Sequence, residues 1–321
     1  MRIGYKLATE AFGPNEIIRQ ARRAEDAGFD FVEMSDHFHP WLDNQGHSGF
    51  TWSLLGALAS ATHDVGLVTG VTCPSFRYHP AIIAQAAATM GIISNDRFTL
   101  GVGSGERLNE HITGREFPSA DRRQEVLKEA LEIIRLLWSG GYQSYEGKYL
   151  SLDDARIFDL PDKLPLIAVA AGGPSAAQIA AQLGDGLFGI DPQTELVSAY
   201  AAAGGSGPRY GEVALAWGPD EDTAAQAALE TTRWALSGWK VMSELPNPVN
   251  FEAASATVRL EDIKDQFSCG PDVERHVQNV DKFVQAGYDH IVLMNAGPDP
   301  DGFIDFYQKE LAAALQEMQT S

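Results

Sequence analysis

The sequence predicts an α/β protein built as a (β/α)8 barrel, also called a TIM barrel. Short apolar runs alternate with longer segments of helical periodicity along the whole 321-residue chain, and there are eight of each. The apolar runs show little inside–outside alternation, which is typical of parallel strands that helices cover. Eight such units close into a barrel, and barrels often exceed about 250 residues as one unit. We therefore expect a single domain over residues 1–321.

The predicted strands are runs rich in Val, Ile, Leu, Phe and Gly. In order, they are Ile3–Leu7, Phe31–Met34, Val65–Val71, Phe98–Val102, Leu166–Ala170, Gly186–Ile190, Val213–Trp217 and His290–Met294. The helices that follow them have apolar residues three and four apart and are Asn15–Ala27, Trp52–Thr62, Ala81–Ile93, Arg122–Trp138, Ser175–Leu183, Thr194–Ala203, Val273–Ala286 and Phe303–Met318. An open doubly wound sheet is the competing fold. It requires a glycine-rich phosphate loop directly after the first strand, and Lys6-Leu7-Ala8-Thr9-Glu10 is not such a loop.

Two stretches interrupt the regular spacing of strands and helices. Residues 139–164 carry Gly140-Gly141 and are expected to form a loop insertion. Residues 219–270 begin with a helix-like segment, Asp222–Leu236, and become irregular around Pro246 and Pro248. In a barrel both insertions would lie over the C-terminal rim, where the second would cover an active site.

Composition and charge exclude several classes of protein. The 24 Lys and Arg residues face 44 Asp and Glu residues, a net charge of −20, which does not suit a nucleic-acid-binding protein. Only Cys73 and Cys269 occur, and no Cys/His spacing suggests a metal site. The N-terminus lacks a signal-like apolar stretch, and the uncharged residues 164–184 are interrupted by Gly172-Gly173-Pro174. We expect a cytoplasmic protein without metal, membrane or nucleic-acid partners.

In a barrel, functional residues lie at the carboxyl ends of the strands. His37 follows the second strand and is the candidate for proton transfer, because imidazole titrates near neutral pH and neighbouring Asp36 could orient it. The alternative is a histidine on the surface or in a cap. Trp41 is a candidate platform for a planar ligand or a sugar, or else a buried rim residue.

Two glycine-containing turns also follow strands. Glu106 lies in Gly103-Ser104-Gly105-Glu106, where it can protonate a ring nitrogen or simply begin the next helix. The Gly172-Gly173-Pro174-Ser175 turn offers backbone N–H groups to a phosphate, or simply ends a strand. Arg77 and Arg107 are the nearby cations that an anionic ligand would need, or ordinary surface residues.

Four motifs together resemble the luciferase-like superfamily of flavin and deazaflavin barrels. They are SDHFHPW (Ser35–Trp41), CPSFRYHPA (Cys73–Ala81), GVGSGERLNE (Gly101–Glu110) and AAGGPSAAQIAAQLGDG (Ala170–Gly186). Within the superfamily they are similar to the branch of F420-dependent glucose-6-phosphate dehydrogenases. The resemblance implies a barrel with insertions, usually a homodimer, that binds coenzyme F420, a 5-deazaflavin that accepts a hydride.

The resemblance also implies roles for individual residues. His37 matches the catalytic base, Glu106 the acid near N1 of the deazaflavin, Trp41 a residue beside the substrate and Glu10 a further active-site glutamate. The positions that match cofactor contacts are Asp36, Gly70, Val71, Asn109, Gly172, Gly173 and Pro174, with Gly70–Val71 as a cis peptide against the ring. Ser175, Arg77 and Arg107 complete the predicted cofactor site.

The sequence departs from that branch where a sugar phosphate would bind. Members that oxidise glucose 6-phosphate hold its phosphate with two lysines and an arginine, because a dianion needs several cations. Here Asp191-Pro192-Gln193-Thr194-Glu195 contains no lysine, Lys240 aligns with the second lysine, and Asp262-Ile263-Lys264-Asp265-Gln266 stands where the arginine is expected. We therefore expect a neutral sugar or another secondary alcohol as substrate.

The resemblance implies an F420-dependent dehydrogenase that passes a hydride from a CH–OH group to the deazaflavin C5. Two other enzymes remain open: an FMN-dependent luciferase-like monooxygenase, and a reductase that uses reduced F420. A non-catalytic cofactor-binding protein is the third alternative, although His37, Glu106 and Glu10 are all present.

Overall fold

The chain forms a closed barrel of eight parallel strands in a computed structural model that describes residues 1–320. The strands in chain order, including three outside the barrel, are β1 (Arg2–Leu7), β2 (Phe31–Met34), β3 (Gly66–Thr69), β4 (Phe98–Val102), β5 (Gln143–Glu146), β6 (Ser151–Ala155), β7 (Leu166–Ala170), β8 (Gly186–Gly189), β9 (Arg209–Ala216), β10 (Ser268–Cys269) and β11 (His290–Asn295). Pairing runs β1-β2-β3-β4-β7-β8-β9-β11 and returns from β11 to β1. The predicted barrel is confirmed.

Most of the α-helices cover the outside of the barrel or build one of its insertions. They are α1 (Pro14–Asp26), α2 (Thr51–Ala61), α3 (Pro80–Ile93), α4 (Arg107–Glu110), α5 (Ala120–Trp138), α6 (Pro174–Leu183), α7 (Thr194–Ala202), α8 (Glu221–Thr232), α9 (Trp239–Met242), α10 (Pro248–Ser255), α11 (Leu260–Gln266), α12 (Val273–Ala286), α13 (Pro300–Phe306) and α14 (Ala312–Thr320). None of the helices within residues 1–320 is long and apolar enough to cross a membrane.

The interior of the barrel is layered. Phe31, Val68, Ala168, Phe188, Tyr210 and Val292, from six different strands, pack together as one apolar layer. Side chains two residues apart on a strand share a face, so the residues two positions onward form the next layer toward the carboxyl ends. That layer includes Glu33 and Glu212, and Lys6 Nζ from β1 lies 2.9 Å from Glu33 Oε1 and 2.9 Å from Glu212 Oε2. Burial raises the pKa of Glu33 well above its usual range, against the opposing effect of Lys6.

Both insertions contain regular structure. Residues 139–164, predicted as a loop, include the antiparallel hairpin β5–β6. Residues 219–270 contain α8 to α11 and the short strand β10, which pairs with β9 beside the barrel. The predicted helix-like segment Asp222–Leu236 is confirmed. Its α-helical part is α8, which ends at Thr232, and a 3-10 helix, Arg233–Ser237, follows directly.

Some predicted boundaries are wrong. Strand β9 begins at Arg209, four residues before the predicted Val213, and β3 ends at Thr69 instead of Val71. The predicted helix Phe303–Met318 is two helices, α13 and α14, separated by a π-helical turn at Tyr307–Leu311.

Candidate active site

A cavity of about 1710 Å³ opens at the carboxyl ends of the strands. Its wall includes rim residues from the loops after β1, β2, β4 and β7, among them Glu10, His37 and Glu106. Trp234 and Met242 from the 219–270 insertion line it from the other side. Residues 219–270 therefore lie over the rim as predicted, whereas the same prediction for residues 139–164 is wrong, since none of them lines the cavity.

His37 lies between two carboxylates in this cavity. Its Nδ1 is 3.1 Å from Glu10 Oε1, and its Nε2 is 2.9 Å from Glu106 Oε1. All three side chains are at most 11% exposed. The Nδ1 contact is close but poorly aligned, since neither atom makes a hydrogen bond with any residue of the described range. Burial lowers the pKa of His37, but the negative charges of Glu10 and Glu106 outweigh it, so this pKa lies above its ordinary value.

Asn109 connects Glu106 to the loop that carries His37. Its Nδ2 donates to Glu106 Oε1 at 2.6 Å, and its Oδ1 accepts from the backbone N–H groups of Phe38 at 2.7 Å and His39 at 3.3 Å. A second bond, from Ser48 Oγ to the His37 carbonyl at 3.0 Å, holds the same loop. The distance between the imidazole and Glu106 is therefore set by hydrogen bonds on both sides.

Trp41 belongs to a buried aromatic cluster that joins the barrel to the insertion. Its ring stacks on Trp234 with centroids 4.1 Å apart and 12° between the planes, and Phe251 meets it edge-on at 5.0 Å. His37 lies on another side, with centroids 4.8 Å apart and an angle of 66°. Trp41 is thus fixed beside the candidate base.

Asp36 does not orient His37, contrary to the sequence-based expectation. Its Oδ2 accepts from Thr72 Oγ1 at 2.8 Å, and its Oδ1 accepts from Arg77 Nη2 at 3.0 Å and from Tyr78 O–H at 3.2 Å. Arg77 also reaches Glu110, whose Oε2 accepts the Arg77 backbone N–H at 2.7 Å. The charge of Arg77 is therefore neutralised by its own neighbours instead of facing the cavity.

Two glycine-rich segments bring backbone close to the cavity. The peptide bond between Gly70 and Val71 is cis, as the resemblance implies, and both residues line the cavity. Gly172, Gly173, Pro174 and Ser175 line it as well, at the start of α6. Apart from its two chain neighbours, no residue of 1–320 has an atom within 4 Å of the position that a Cβ of Gly173 would occupy. A ligand can therefore approach the main chain at this turn.

The remaining predicted cations are exposed. Arg107 is exposed and is not among the residues that line the cavity; its backbone N–H donates to the Ser243 carbonyl at 2.9 Å. Lys240 lines the cavity at its exposed edge. The two arginines predicted to attract an anion therefore do not present free guanidinium groups to the cavity.

Sequence reasoning missed several charged lining residues. Arg123 on α5 is only 3% exposed and lines the cavity. A signal for it exists, because Arg123 falls in register with Val126, Leu127 and Ala130 on the apolar face of a predicted helix. Burial raises the pKa of Glu110, also in the lining, to about 7.

Comparison with known proteins relates the whole chain to one family. The family model described as luciferase-like monooxygenase matches residues 1–290. A protein of Microbacterium testaceum named F420-dependent glucose-6-phosphate dehydrogenase is 36% identical, over 99% of this chain and 98% of its own. A protein of the same name from Rhodococcus erythropolis is 35% identical over 99% and 98%.

A solved structure of an F420-dependent secondary alcohol dehydrogenase with an F420–acetone adduct is 30% identical, covers 98% of both chains and gives a TM-score of 0.91. The F420-dependent tetrahydromethanopterin reductase of Methanopyrus kandleri, at 21% identity and a TM-score of 0.79, shares the fold. The family match covers most of the barrel, and the relatives extend over nearly the full length. The chain therefore belongs to the luciferase-like monooxygenase family.

Proposed function

We propose that this chain is an F420-dependent dehydrogenase that oxidises the CH–OH group of a sugar or secondary alcohol. The observation that carries the proposal is His37 held between Glu10 and Glu106 in a cavity that the cis peptide Gly70–Val71 also lines. The names of the full-length relatives and of the solved structure at 30% identity support the same activity. Bound F420 supplies the hydride-accepting C5, which no protein side chain provides.

The residues present fit a deazaflavin with an anionic tail. The cavity exceeds the size of most small-molecule pockets, so a cofactor and a substrate fit together. Gly70 and Val71 would hold the ring, with Asp36 and Asn109 fixing the loops around it. The open backbone at Gly173 would admit the tail. Glu106 would be the acid near N1 of the ring, as the resemblance implies.

His37 is the candidate base. It would accept the substrate hydroxyl proton, and the carboxylate of Glu10 would stabilise the resulting imidazolium. Trp41, fixed between Trp234 and Phe251, limits the orientations of the substrate beside the base. The protein thus orients the substrate and accepts its hydroxyl proton.

The charge of the cavity favours a neutral substrate over a sugar phosphate. Among residues 1–320, ten Asp and Glu side chains line it against four Lys and Arg, and two of those four are already paired, Lys6 with Glu33 and Glu212, and Arg123 with Glu244. Asp191, Asp262 and Asp265 all line the region where a phosphate would need cations. A dianion there would meet repulsion instead of a built site.

The test is a spectrophotometric assay of the purified protein with F420 and a panel of sugars, sugar phosphates and secondary alcohols. We expect the visible absorbance of oxidised F420 to bleach with a neutral alcohol and much more slowly with glucose 6-phosphate. Comparable turnover of glucose and glucose 6-phosphate at equal concentration would contradict the substrate class. Copurified yellow flavin with oxygen uptake would instead identify the FMN-dependent monooxygenase, and turnover only from reduced F420 would identify the reductase.

We further propose a homodimer in the cytoplasm. Helix α3 exposes Ile82 and Ile93, which are eleven residues apart and therefore on one face, at 56% and 45% exposure. Both cysteines are free and buried, which suits a reducing compartment. Light scattering coupled to size exclusion measures the mass, and a monomer at micromolar concentration would contradict the dimer.

A further inference from the structure

Lys6 is a buried cation in the wall of the cavity. It is 8% exposed and lies on β1, in register with Glu33 of β2. Its Nζ donates to Glu33 Oε1 at 2.9 Å, to Glu212 Oε2 at 2.9 Å and to the Gly70 carbonyl at 3.3 Å. Burial lowers the pKa of Lys6, but the negative charges of Glu212 and Glu33 outweigh it, so this pKa lies above its ordinary value. The ammonium group is therefore charged, and each of its three donors has an acceptor.

The contact with Gly70 joins this ionic cluster to the backbone that lines the cavity. Both Gly70 and Val71 belong to the cavity wall. The Gly70 N–H donates to the Met34 carbonyl at 2.9 Å, and the Gly70 carbonyl accepts from Lys6. Gly70 is therefore held through both of its backbone polar groups, once by the end of β2 and once by a side chain from β1.

The lack of a side chain at Gly70 makes room for Glu33. A Cβ on Gly70 would overlap the Glu33 carboxylate, which is completely buried. The glycine thus admits Glu33, while Glu33 and Glu212 hold Lys6 against the Gly70 carbonyl. Buried ion pairs are often no more stabilising than apolar side chains of similar volume. Stability alone therefore does not account for this cluster, whereas control of the backbone at Gly70 does.

We propose that Lys6 is a positioning residue that fixes the Gly70–Val71 peptide for the deazaflavin ring. This inference rests on the proposed function, since it assumes that the ring lies against that peptide. Lys6 acts through the Gly70 carbonyl, because its three donors are already occupied. A surface that is ordered before binding does not lose conformational freedom when the ligand arrives, which raises affinity. Loss of Lys6 should therefore weaken every ligand that carries the ring.

The test compares F420 with the tail-less deazaflavin, which keeps the ring and ribityl chain but has no phosphodiester. Dissociation constants are measured by deazaflavin fluorescence for the wild type, K6M and K6R. We expect K6M to weaken both ligands by the same factor, about 10-fold, and to leave the KM for the alcohol unchanged at saturating F420. K6R should recover part of the affinity, because it keeps a charged donor at this position.

Two further variants separate positioning from stability. K6M leaves Glu33 without its cation, so the double variant K6M/E33M replaces both buried charges by apolar side chains, a change that folded proteins often tolerate. We expect it to fold and to weaken both deazaflavins as K6M does. V292A is the matched control, because Val292 is buried in the apolar layer of the same barrel and does not line the cavity. It should lower the free energy of unfolding without changing either dissociation constant.

Three results would overturn the inference. The first is a folded K6M/E33M that binds both deazaflavins as tightly as the wild type. The second is a V292A variant that weakens them as much as K6M, since affinity would then follow stability. The third is a KM for the alcohol that rises in K6M as much as the dissociation constants do. Each of these refutes the inference alone if the wild type binds F420 tightly, whereas a wild type that binds neither deazaflavin refutes the proposed function.

Discussion

Replacement of His37 by asparagine, H37N, tests the candidate base directly. The amide would keep a polar side chain at this position but would have no nitrogen that accepts a proton near neutral pH. A positioned general base contributes about 10²- to 10⁴-fold in rate, which corresponds to about 3–5 kcal/mol of activation free energy. We therefore expect kcat to fall by that factor for H37N.

The same substitution leaves two carboxylates close together without the imidazole. In the wild type, Glu10 Oε1 lies 3.1 Å from Nδ1 of His37 and Glu106 Oε1 lies 2.9 Å from Nε2, and both carboxylates are largely buried. Removing one partner of a buried ionic cluster typically destabilises a protein by about 3–5 kcal/mol. Because the pKa of His37 is raised in the fold, its stabilising contribution is complete below about pH 6.5 and is lost as the pH rises through the raised value. The loss in free energy of unfolding for H37N should therefore be larger at pH 6 than at pH 9.

The assay for H37N is the initial rate of F420 bleaching with saturating alcohol, together with the F420 dissociation constant from fluorescence. Cofactor affinity should change little, so that the defect lies in kcat. H63N is the matched control, because His63 is exposed and distant in sequence from the rim. A kcat within about threefold of the wild type would remove His37 from the mechanism, and an equal destabilisation at pH 6 and pH 9 would refute the electrostatic account of the cluster.

Three further predictions address neighbouring residues. In E10Q, the acid limb of the kcat/KM profile should move to lower pH, because a charge that raises the pKa of His37 is gone; an unmoved limb would count against the contact. In W41A, the loss of a 7%-exposed indole should lower the free energy of unfolding by about 3–5 kcal/mol in urea denaturation and raise KM, whereas F158A, at a 72%-exposed position, should not. The pKa of Glu110 is raised to about 7, so the folded state binds a proton that the unfolded chain releases, and stability falls as the pH rises from 4.5 to 7. In E110Q, this decrease of about 3 kcal/mol in the free energy of unfolding should disappear. Urea denaturation at several pH values would contradict the prediction if E110Q lost stability with rising pH as steeply as the wild type.

The barrel can be predicted from sequence because its strands are buried on both faces. Phe98–Val102 and Leu166–Ala170 form continuous apolar runs, and the structure places strands with those bounds. The start of β9 cannot be read this way, since Arg209–Glu212 includes two charged residues. Glu212 is accommodated in the barrel because Lys6, 206 positions away, donates to it. No pattern of neighbouring residues in the sequence predicts this long-range ion pair.

The candidate site, like the barrel, can be predicted from the sequence only in part. Parallel strands present their carboxyl ends at one rim, so the gathering of Glu10, His37 and Glu106 follows from strand positions alone. Which carboxylate faces the imidazole depends on loop conformation, and the sequence neighbour Asp36 turns instead to Thr72 and Arg77. Sequence adjacency is a poor guide to contact wherever the chain leaves a strand.

The edge contact between His37 and Trp41 should make the fluorescence of Trp41 depend on the protonation of His37. Protonated imidazole quenches the emission of a neighbouring indole, and the two rings lie 4.8 Å apart between centroids. Emission from Trp41, isolated as the difference between the wild type and W41F, should therefore brighten as His37 loses its proton. A fluorescence titration then follows the charge of the base itself, separately from any step of turnover.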